Sequence, residues 1–317
     1  MLIIDATLCM LDSIIPTSKQ VKEWICLMGA CGITDFMVSK KLYPMIETVN
    51  EPGAVYYMEV DSLDDRRRYN RITYFMQSKK VQENTITMIQ MNDSREIVHL
   101  KKYASAKAIA LNGLDDFMCY DFMASLKEIF AIFDRKNIYF SPENGNECAT
   151  AEAVMFMKAG GKKVITAFAG IGSKAATEQV MLALHLNNRY KVNQDFSRLP
   201  ELKRLYERIT GEKIPDKMPV IGDNIFMVES GIHVDGIRKL ATNYETYPPE
   251  LVGQKRKIVL GKQSGLSSIK FKLEELGYEE LDVNICCKIL QEVKNESNRL
   301  CKSISDEELM RIIEGCL

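Results

Sequence analysis

A histidine and a tyrosine stand eleven residues apart in the segment 226–265. His233 follows the small-residue turn Glu229-Ser230-Gly231, and Tyr244 lies in Asn243-Tyr244-Glu245. An imidazole titrates near neutral pH and a phenol hydroxyl can donate or accept a proton, so the pair suits proton transfer in an acid–base reaction. Side chains of these types could equally serve as hydrogen-bonding groups where the segment packs against the rest of the chain.

Nine cysteines and three histidines are further candidates for metal binding. No two cysteines have CxxC spacing and histidines are few, so a structural zinc site is not expected. Most of the cysteines lie in apolar stretches such as Trp24-Ile25-Cys26-Leu27-Met28, which predicts small buried side chains. His99 and His185 lie in apolar helical patterns, and we interpret them as core or surface residues.

Composition and charge narrow the class of protein. The 317 residues are 46% hydrophobic and 27% charged, which is ordinary for a globular protein. A net charge of −1 gives no reason to expect nucleic acid or an anionic membrane as a partner. No apolar run is long enough to cross a bilayer, and the N-terminal sequence lacks the features of a signal peptide. We therefore expect a cytoplasmic protein.

Eight short runs rich in β-branched or aromatic residues alternate with helical patterns in residues 1–170. Alternating strands and helices predict parallel βαβ units, and eight units predict a closed (β/α)8 barrel, the TIM barrel of the α/β class. The helix predicted most clearly is Tyr120–Phe133, where apolar residues including Met123 recur at the spacing of one buried face. The predicted strands are Leu2–Asp5, Thr34–Ser39, Val55–Val60, Ile72–Gln77, Thr85–Met91, Ala108–Asn112, Asn137–Ser141 and Val164–Phe168.

Two connections in this barrel are short. Only Asp61–Arg71 separates the third and fourth strands, and only Ser78–Asn84 separates the fourth and fifth. A parallel crossover normally needs a dozen or more residues. Either the helices here are reduced to a turn, or this quarter of the barrel is antiparallel.

The remaining chain predicts helices and a division into domains. Helical patterns cover Gln179–Leu186 and Pro200–Thr210, and Gly211–Pro219 has the prolines of a linker. Two or three amphipathic helices are expected over Glu274–Leu317, with Ser305 as an N-cap. We expect a barrel of catalytic type over residues 1–215 and a C-terminal lid and helical subdomain over 216–317.

The segment 226–265 resembles the part that follows the catalytic barrel in homocitrate synthases and 2-isopropylmalate synthases, in particular the homocitrate synthases of nitrogen-fixing bacteria. The likeness lies in four motifs, which are Glu229–His233, Asn243-Tyr244-Glu245, Pro249–Gly253 and Leu260–Gly265. It implies an acyltransferase that condenses acetyl-CoA with a 2-oxo acid such as 2-oxoglutarate. It also implies that His233 and Tyr244 take part in acid–base catalysis. Val228 departs from the pattern, because the nitrogen-fixation enzymes usually carry a histidine there.

In the resembled family, a divalent metal at the barrel mouth binds the 2-oxo acid and polarises its ketone. Its ligands include an aspartate ending the first strand and two histidines spaced H-x-H on the seventh. Asp5 matches the aspartate, whereas Ser141 and Glu143 stand in place of the histidines. Asp5 and Glu143 could still offer oxygens to Mg²⁺ or Mn²⁺. Alternatively, both are ordinary polar residues at strand ends.

The substrate site implied by the resemblance is also altered. Asn144 keeps the frame of the seventh-strand motif, and Asn112 replaces the first residue of the pair that holds the keto acid, so both are candidate substrate-binding residues. Cys9 replaces the arginine that would grip the substrate, and Met10 replaces the next acid. Losing such a fixed cation costs on the order of 10²–10³ in rate. A thiol at position 9 could be reactive or buried and inert, and we favour the inert reading.

Two hypotheses follow for the function. The first is a divergent homocitrate synthase-like enzyme that keeps His233 and Tyr244 and works with a weak or rebuilt metal centre. The second is a catalytically inactive partner subunit or paralogue of a complete synthase. Members of the resembled family form dimers in which the post-barrel segment crosses over, so a homodimer or a heteromer with a related synthase is expected.

Overall fold

The computed structural model describes residues 1–62, 67–78, 81–187, 194–278 and 281–317, apart from the side chain of residue 238. Contacts divide the chain into two compact units. The barrel unit comprises Met1–Ile214 with Pro219–Ile221, and the C-terminal unit comprises Pro215–Met218 with Gly222–Leu317. No helix in the described part of the chain combines the length and the apolar character needed to span a bilayer.

Eight parallel strands form a closed barrel whose strand order follows the sequence. β1 pairs with both β2 and β8, which closes the barrel. Each strand ends within two residues of its predicted bounds, so the predicted TIM barrel is confirmed. The strands are β1 (Leu2–Asp5), β2 (Asp35–Met37), β3 (Val55–Glu59), β4 (Tyr74–Ser78), β5 (Ile86–Met91), β6 (Ile109–Gly113), β7 (Ile138–Pro142) and β8 (Lys163–Thr166).

The quarter with short connections is parallel as well. Tyr57 of β3 is in register with Tyr74 of β4, and Met76 of β4 with Ile86 of β5. The antiparallel alternative is therefore wrong. The described residues of these two connections include no α-helix. They form turns, bends and a short 3₁₀ segment that lead to the next strand.

Seven α-helices belong to the barrel unit among the described residues. They are α1 (Thr7–Met10), α2 (Ser18–Ala30), α3 (Tyr43–Thr48), α4 (Phe122–Ile132), α5 (Ala149–Lys158), α6 (Thr177–Leu186) and α7 (Leu199–Thr210). A capping box of Thr17 and Gln20 begins α2, and Gly211 ends α7 in the left-handed conformation that favours glycine. Met123 was predicted to be buried, but it is 44% exposed because it lies outside the face of α4 that packs on the core.

Alternate strand residues fill the interior of the barrel. Ile4 and Ala6 of the first βα unit pack there with Met37, Tyr57, Met76, Ile86, Ala110, Tyr139 and Ile165. Successive residues of a strand point to opposite faces of the sheet. Asp5 lies between Ile4 and Ala6, so its side chain points outward, toward the surrounding helices.

The C-terminal unit contains a two-stranded parallel sheet and four α-helices among its described residues. They are β9 (Met227–Val228), α8 (Gly231–Leu240), β10 (Lys257–Ile258), α9 (Leu266–Glu275), α10 (Val283–Leu300) and α11 (Asp306–Cys316). Its core includes Leu260, Ile269, Ile289 and Ile313. The predicted N-cap is confirmed, since Ser305 and Glu308 form a capping box at the start of α11.

The nine cysteines are all free thiols. The prediction that most are buried is wrong, because only Cys31 and Cys286 are buried and Cys9, Cys148 and Cys316 are half-buried. Cys26 lies on the solvent side of α2, where its thiol donates to Glu51 at 2.8 Å. An apolar local sequence therefore does not report which face of a helix a cysteine occupies.

Candidate functional site

The structure brings His233 and Tyr244 together. His233 lies in the first turn of α8, and Tyr244 directly follows a short 3₁₀ turn at Ala241–Asn243. Their ring centroids are 5.5 Å apart and the ring planes are inclined by 58°. Both side chains are exposed, Tyr244 to 47%, so both rings can be reached from solvent.

The two rings line one pocket of the C-terminal unit, with a volume of about 510 Å³. Phe226 and Tyr247 form an aromatic part of its wall, with centroids 5.6 Å apart in an edge-to-face arrangement. Burial raises the pKa of Tyr247, so this phenol is neutral at physiological pH. Val228 also lines the pocket. The departure from the family pattern is thus beside the His233–Tyr244 pair.

Gly236 provides the surface on which Tyr244 rests. A Cβ atom built on Gly236 would lie 2.3 Å from two ring carbons and the hydroxyl oxygen of Tyr244. Glycine inside a helix costs about 1 kcal/mol relative to alanine. The missing side chain is therefore a local cost in α8 that leaves room for the tyrosine ring.

The two glycine motifs of the segment pack against each other and hold the start of α8. A Cβ on Gly231 would lie 3.0 Å from the backbone of Gly265, and one on Gly261 would lie 2.6 Å from a carboxylate oxygen of Glu229. Glu229 accepts hydrogen bonds from the backbone of Gln263 at 2.9 Å and the hydroxyl of Ser303 at 3.1 Å. These contacts fix the turn between β9 and α8 and thereby the direction in which His233 leaves the helix.

In the barrel unit, Asp5 is buried in the helix layer. Its carboxylate accepts hydrogen bonds from the Thr7 hydroxyl at 2.8 Å, the Thr177 hydroxyl at 3.1 Å and the Trp24 indole at 3.2 Å. Burial raises its pKa to about 6, although these hydrogen bonds act in the opposite direction. The network joins β1 to α2 and α6, which makes Asp5 a residue of barrel closure.

Glu143 is held by two donors at the C-terminal end of the strands. Its carboxylate accepts from Lys174 Nζ at 3.1 Å and from Gln90 Nε2 at 2.9 Å. Gln90 continues the inward-facing row of β5, and it is in register with Asn112, which in turn is in register with Ser141. Glu143 is therefore part of a polar layer above the interior of the barrel.

These positions do not fit the predicted metal pair. Asp5 faces the helices and its oxygens already accept hydrogen bonds, whereas Glu143 forms an ion pair at the barrel end. Across the described ranges, no group of three or more histidine, cysteine, aspartate and glutamate side chains is arranged to hold an ion. A divalent cation at Asp5 and Glu143 would have to displace the donors of both carboxylates.

The two asparagines have different settings. Asn144 accepts from the backbone of Ala149 at 3.1 Å, at the start of α5, and its own backbone donates to Ser173 at 2.8 Å. These contacts give Asn144 a structural role at the β7–α5 connection. Asn112 is buried, with 9% of its surface exposed, in the polar layer beside Gln90. Substrate binding by either residue stays a prediction.

Comparison with known sequences shows which proteins this chain resembles. The family described as "Homocitrate synthase post-HMGL domain-like" matches residues 220–300. Homocitrate synthase AksA of Methanothermobacter thermautotrophicus is 38% identical over 170 residues, which cover 53% of this chain and 43% of that protein. The homocitrate synthase omega subunit of Clostridium pasteurianum is 33% identical over 210 residues, covering 64% of this chain and 57% of that protein.

A third relative belongs to the other branch of the resemblance. The 2-isopropylmalate synthase 2 of Caldanaerobacter subterraneus is 31% identical over 236 residues, covering 72% of this chain and 60% of that protein. The chain is related to the homocitrate and 2-isopropylmalate synthases. The predicted resemblance is thus confirmed, and the chain spans about half the length of the curated relatives it matches.

The similarity of this chain to solved structures supports its fold. The HMG-CoA lyase of Bacillus subtilis superposes with a TM-score of 0.54 at 13% sequence identity, covering 68% of this chain and 95% of that chain. At this identity the likeness concerns the fold alone.

Several polar and charged residues of this chain were not predicted from its sequence. Lys174 lies after β8, and Gln90 is the last residue but one of β5. Nothing in their spacing marks them as the partners of Glu143. Arg256 forms a bidentate ion pair with Glu245, which directly follows Tyr244. The signal that could have found the second pair is an arginine and a glutamate that flank the two-proline turn between Tyr244 and β10.

Cys9 agrees with the inert reading. Burial raises the pKa of its thiol to about 12, and the negative charges of Asp12 and Glu59 add to the effect. The charge of Lys174 acts in the other direction. Because a thiolate is the nucleophilic form, the protonated Cys9 thiol is not a nucleophile at neutral pH.

Two buried acids were also unexpected. Glu178 of α6 accepts from the backbone of Ala169 at 3.0 Å, and burial raises its pKa to about 7 with a further contribution from Asp5. Glu152 of α5 is fully buried, and burial raises its pKa to about 8. Both follow the period of a helix face, but only tertiary packing decides that this face is enclosed.

Proposed function

We propose that the chain takes part in a homocitrate synthase-type acyl transfer, in which acetyl-CoA condenses with a 2-oxo acid such as 2-oxoglutarate. The observation that carries this proposal is the contact between His233 and Tyr244 beside one open pocket. These are the two residues that the family resemblance assigns to acid–base catalysis. The relatives named homocitrate synthase and 2-isopropylmalate synthase support the same class of reaction.

The reaction needs proton transfers that this pair suits. A base removes a proton from the acetyl methyl group, and the resulting carbanion forms a bond to the ketone carbon of the 2-oxo acid. The ketone oxygen then takes up a proton, and water cleaves the thioester to release CoA. An imidazole can accept the first proton, and a phenol hydroxyl can donate to the developing alkoxide. No step is assigned to Asp5 or Glu143, because their oxygens are engaged by other side chains.

A second candidate is a partner subunit that contributes its C-terminal unit to a complete synthase. Three features of the barrel favour it: Asp5 is buried, Glu143 is paired with Lys174, and Cys9 stands where the resemblance expects an arginine. One relative is named as a subunit of a homocitrate synthase. In this case the chain forms a heteromer in the cytoplasm in place of a homodimer.

Release of CoA by the purified chain tests the first candidate. The assay uses acetyl-CoA with pyruvate, 2-oxoisovalerate or 2-oxoglutarate, with added Mg²⁺ or Mn²⁺ and with a chelator. We expect turnover that falls by about 10²–10⁴ in His233→Gln and Tyr244→Phe. The control is His99→Gln, because His99 is exposed in the barrel unit and lies outside the pocket.

The second candidate is tested by co-purification with a complete synthase from the same cells. It predicts no turnover by the chain alone, co-purification of the chain with the synthase, and turnover by the mixture that is unchanged by His233→Gln in this chain. No turnover in either arm contradicts both candidates.

A further inference from the structure

We propose that Arg256 is a positioning residue, which sets the place of the Tyr244 ring over His233 through its ion pair with Glu245. The catalytic consequence of this positioning rests on the proposed function. The positioning itself rests only on contacts within the C-terminal unit, so it can be tested without substrate.

The ion pair has the geometry that fixes orientation. Arg256 donates from Nε to one carboxylate oxygen of Glu245 at 2.6 Å and from Nη2 to the other at 2.8 Å. A third contact, from Nη1 to Glu250, is 3.3 Å long. A guanidinium that binds both oxygens of a carboxylate holds it in one plane, which an ammonium cannot do. The Glu245 side chain is only 9% exposed, so solvent competes little for these hydrogen bonds.

The ion pair connects the two residues of the candidate site through the backbone. Glu245 directly follows Tyr244, and Arg256 directly precedes β10. β10 pairs with β9, with Ile258 in register with Val228. β9 leads within three residues into α8, which carries His233. The guanidinium therefore ties the backbone at Tyr244 to the sheet from which the helix of His233 begins.

Among the described residues, few other contacts hold the tyrosine. Its ring rests on Gly236 and contacts His233, while almost half of its surface is exposed. Its backbone is held by a single turn, in which Tyr244 and Glu245 both donate to the carbonyl of Ala241. An aromatic ring on one short turn has several rotamers and backbone positions available. The Arg256–Glu245 pair removes part of that freedom beside the ring.

The experiment uses the His233 imidazole as a probe of the Tyr244 ring. The chain has three histidines, so the full-length protein with ¹³C,¹⁵N-labelled histidine gives few imidazole resonances, and His233→Gln assigns one of them. Tyr244→Ala supplies the chemical shift of His233 without the neighbouring ring. We expect Arg256→Lys and Glu245→Gln to move the His233 resonances toward that reference while the resonances of His99 and His185 stay in place.

Arg299→Lys is the matched control. Arg299 forms the same two-pronged pair with Glu296 on α10, outside the pocket, so its replacement is expected to leave the His233 resonances unchanged. The double variant Glu245→Arg with Arg256→Glu is expected to restore the wild-type shift. Circular dichroism and urea unfolding of each variant establish that it is folded before its spectrum is used.

The proposal is overturned if Arg256→Lys and Glu245→Gln, both folded, keep the wild-type His233 shift while Tyr244→Ala changes it. It is also overturned if Tyr244→Ala leaves the shift unchanged, since the ring contact is then absent. Failure of the proposed function is distinguished by a different readout. A chain without turnover can still show the expected His233 chemical shifts. Where turnover is measured, Arg256→Lys is expected to lower kcat by about 10²-fold, as a small misplacement of a catalytic group does.

Discussion

The ammonium nitrogen of Lys174 lies 3.1 Å from a carboxylate oxygen of Glu143, at the end of the barrel where the strands terminate. The Lys174 side chain is 11% exposed and the Glu143 side chain 32%, so the ion pair is partly shielded from solvent. A carboxylate already neutralised by a lysine is a poor ligand for a second cation. The positive charge beside Glu143 is thus supplied by Lys174.

Metal binding is expected to be independent of the predicted pair. In a Mn²⁺ titration followed by electron paramagnetic resonance, we expect the wild type, Asp5→Asn and Glu143→Gln to bind equally little Mn²⁺. The physical reason is that Asp5 is enclosed by hydroxyl and indole donors and Glu143 by Lys174 and Gln90. One equivalent of Mn²⁺ that is lost in both variants would show that the carboxylates rearrange to bind it.

Asp5 is expected to matter for stability. In Asp5→Ala the buried hydroxyls of Thr7 and Thr177 and the indole of Trp24 lose their acceptor. An unsatisfied buried polar group costs about 1–3 kcal/mol, so the free energy of unfolding is expected to fall by at least about 3 kcal/mol in a urea titration. Asp121→Ala is the comparison, because Asp121 caps α4 at the surface and such a cap is worth about 1 kcal/mol. Equal losses in the two variants would contradict the role in barrel closure.

The strands were predictable because each of the eight is a compact β-branched or aromatic run, and helical patterns separate most of them. The site was predictable only in part. His233 and Tyr244 lie in one short segment, so local sequence brings them close, and the structure places their rings in contact. Asp5 and Glu143 depend instead on which face of a strand each residue occupies, and a shift of one residue exchanges the two faces. Strand bounds predicted from sequence are not accurate to one residue, so they do not determine which face a side chain occupies.

Long-range pairs were the part that sequence could not supply. Lys174 meets Glu143 across 31 positions, and Gln90 meets Glu143 across 53. Their proximity follows from the closure and register of the barrel, which propensity and spacing do not encode. The pairing of Arg256 with Glu245 similarly depends on how the turn containing Pro248 and Pro249 folds back toward β10.

Glu152 predicts a dependence of stability on pH. Its pKa in the folded chain is about 8, above the ordinary value of 4.5. Between these values the unfolded chain has lost the proton that the folded chain keeps, so unfolding releases a proton and stability falls as the pH rises. Glu152→Gln removes this titration, and we expect it to raise the free energy of unfolding at pH 8 by on the order of 4 kcal/mol.

The measurement for Glu152 is urea unfolding at pH 5, 6.5 and 8. The gain from Glu152→Gln is expected to be smallest at pH 5 and to grow with pH. Glu128→Gln is the control, because Glu128 is exposed on α4. A gain that is the same at all three pH values would mean that the effect is not the titration of this carboxyl.

Gly236 gives a prediction in which two effects oppose each other. Alanine favours a helix over glycine by about 1 kcal/mol, but a Cβ at this position would lie 2.3 Å from the Tyr244 ring. We therefore expect Gly236→Ala to displace the ring, to move the His233 imidazole resonances toward those of Tyr244→Ala, and to lower any turnover by about 10²-fold.

Gly315→Ala in α11 is the matched control, because a Cβ there meets nothing within 4 Å. It is expected to stabilise the chain slightly and leave the spectrum unchanged. If Gly236→Ala behaves in the same way, the ring does not depend on the missing side chain, and the close approach of α8 to Tyr244 is not what holds the pair together.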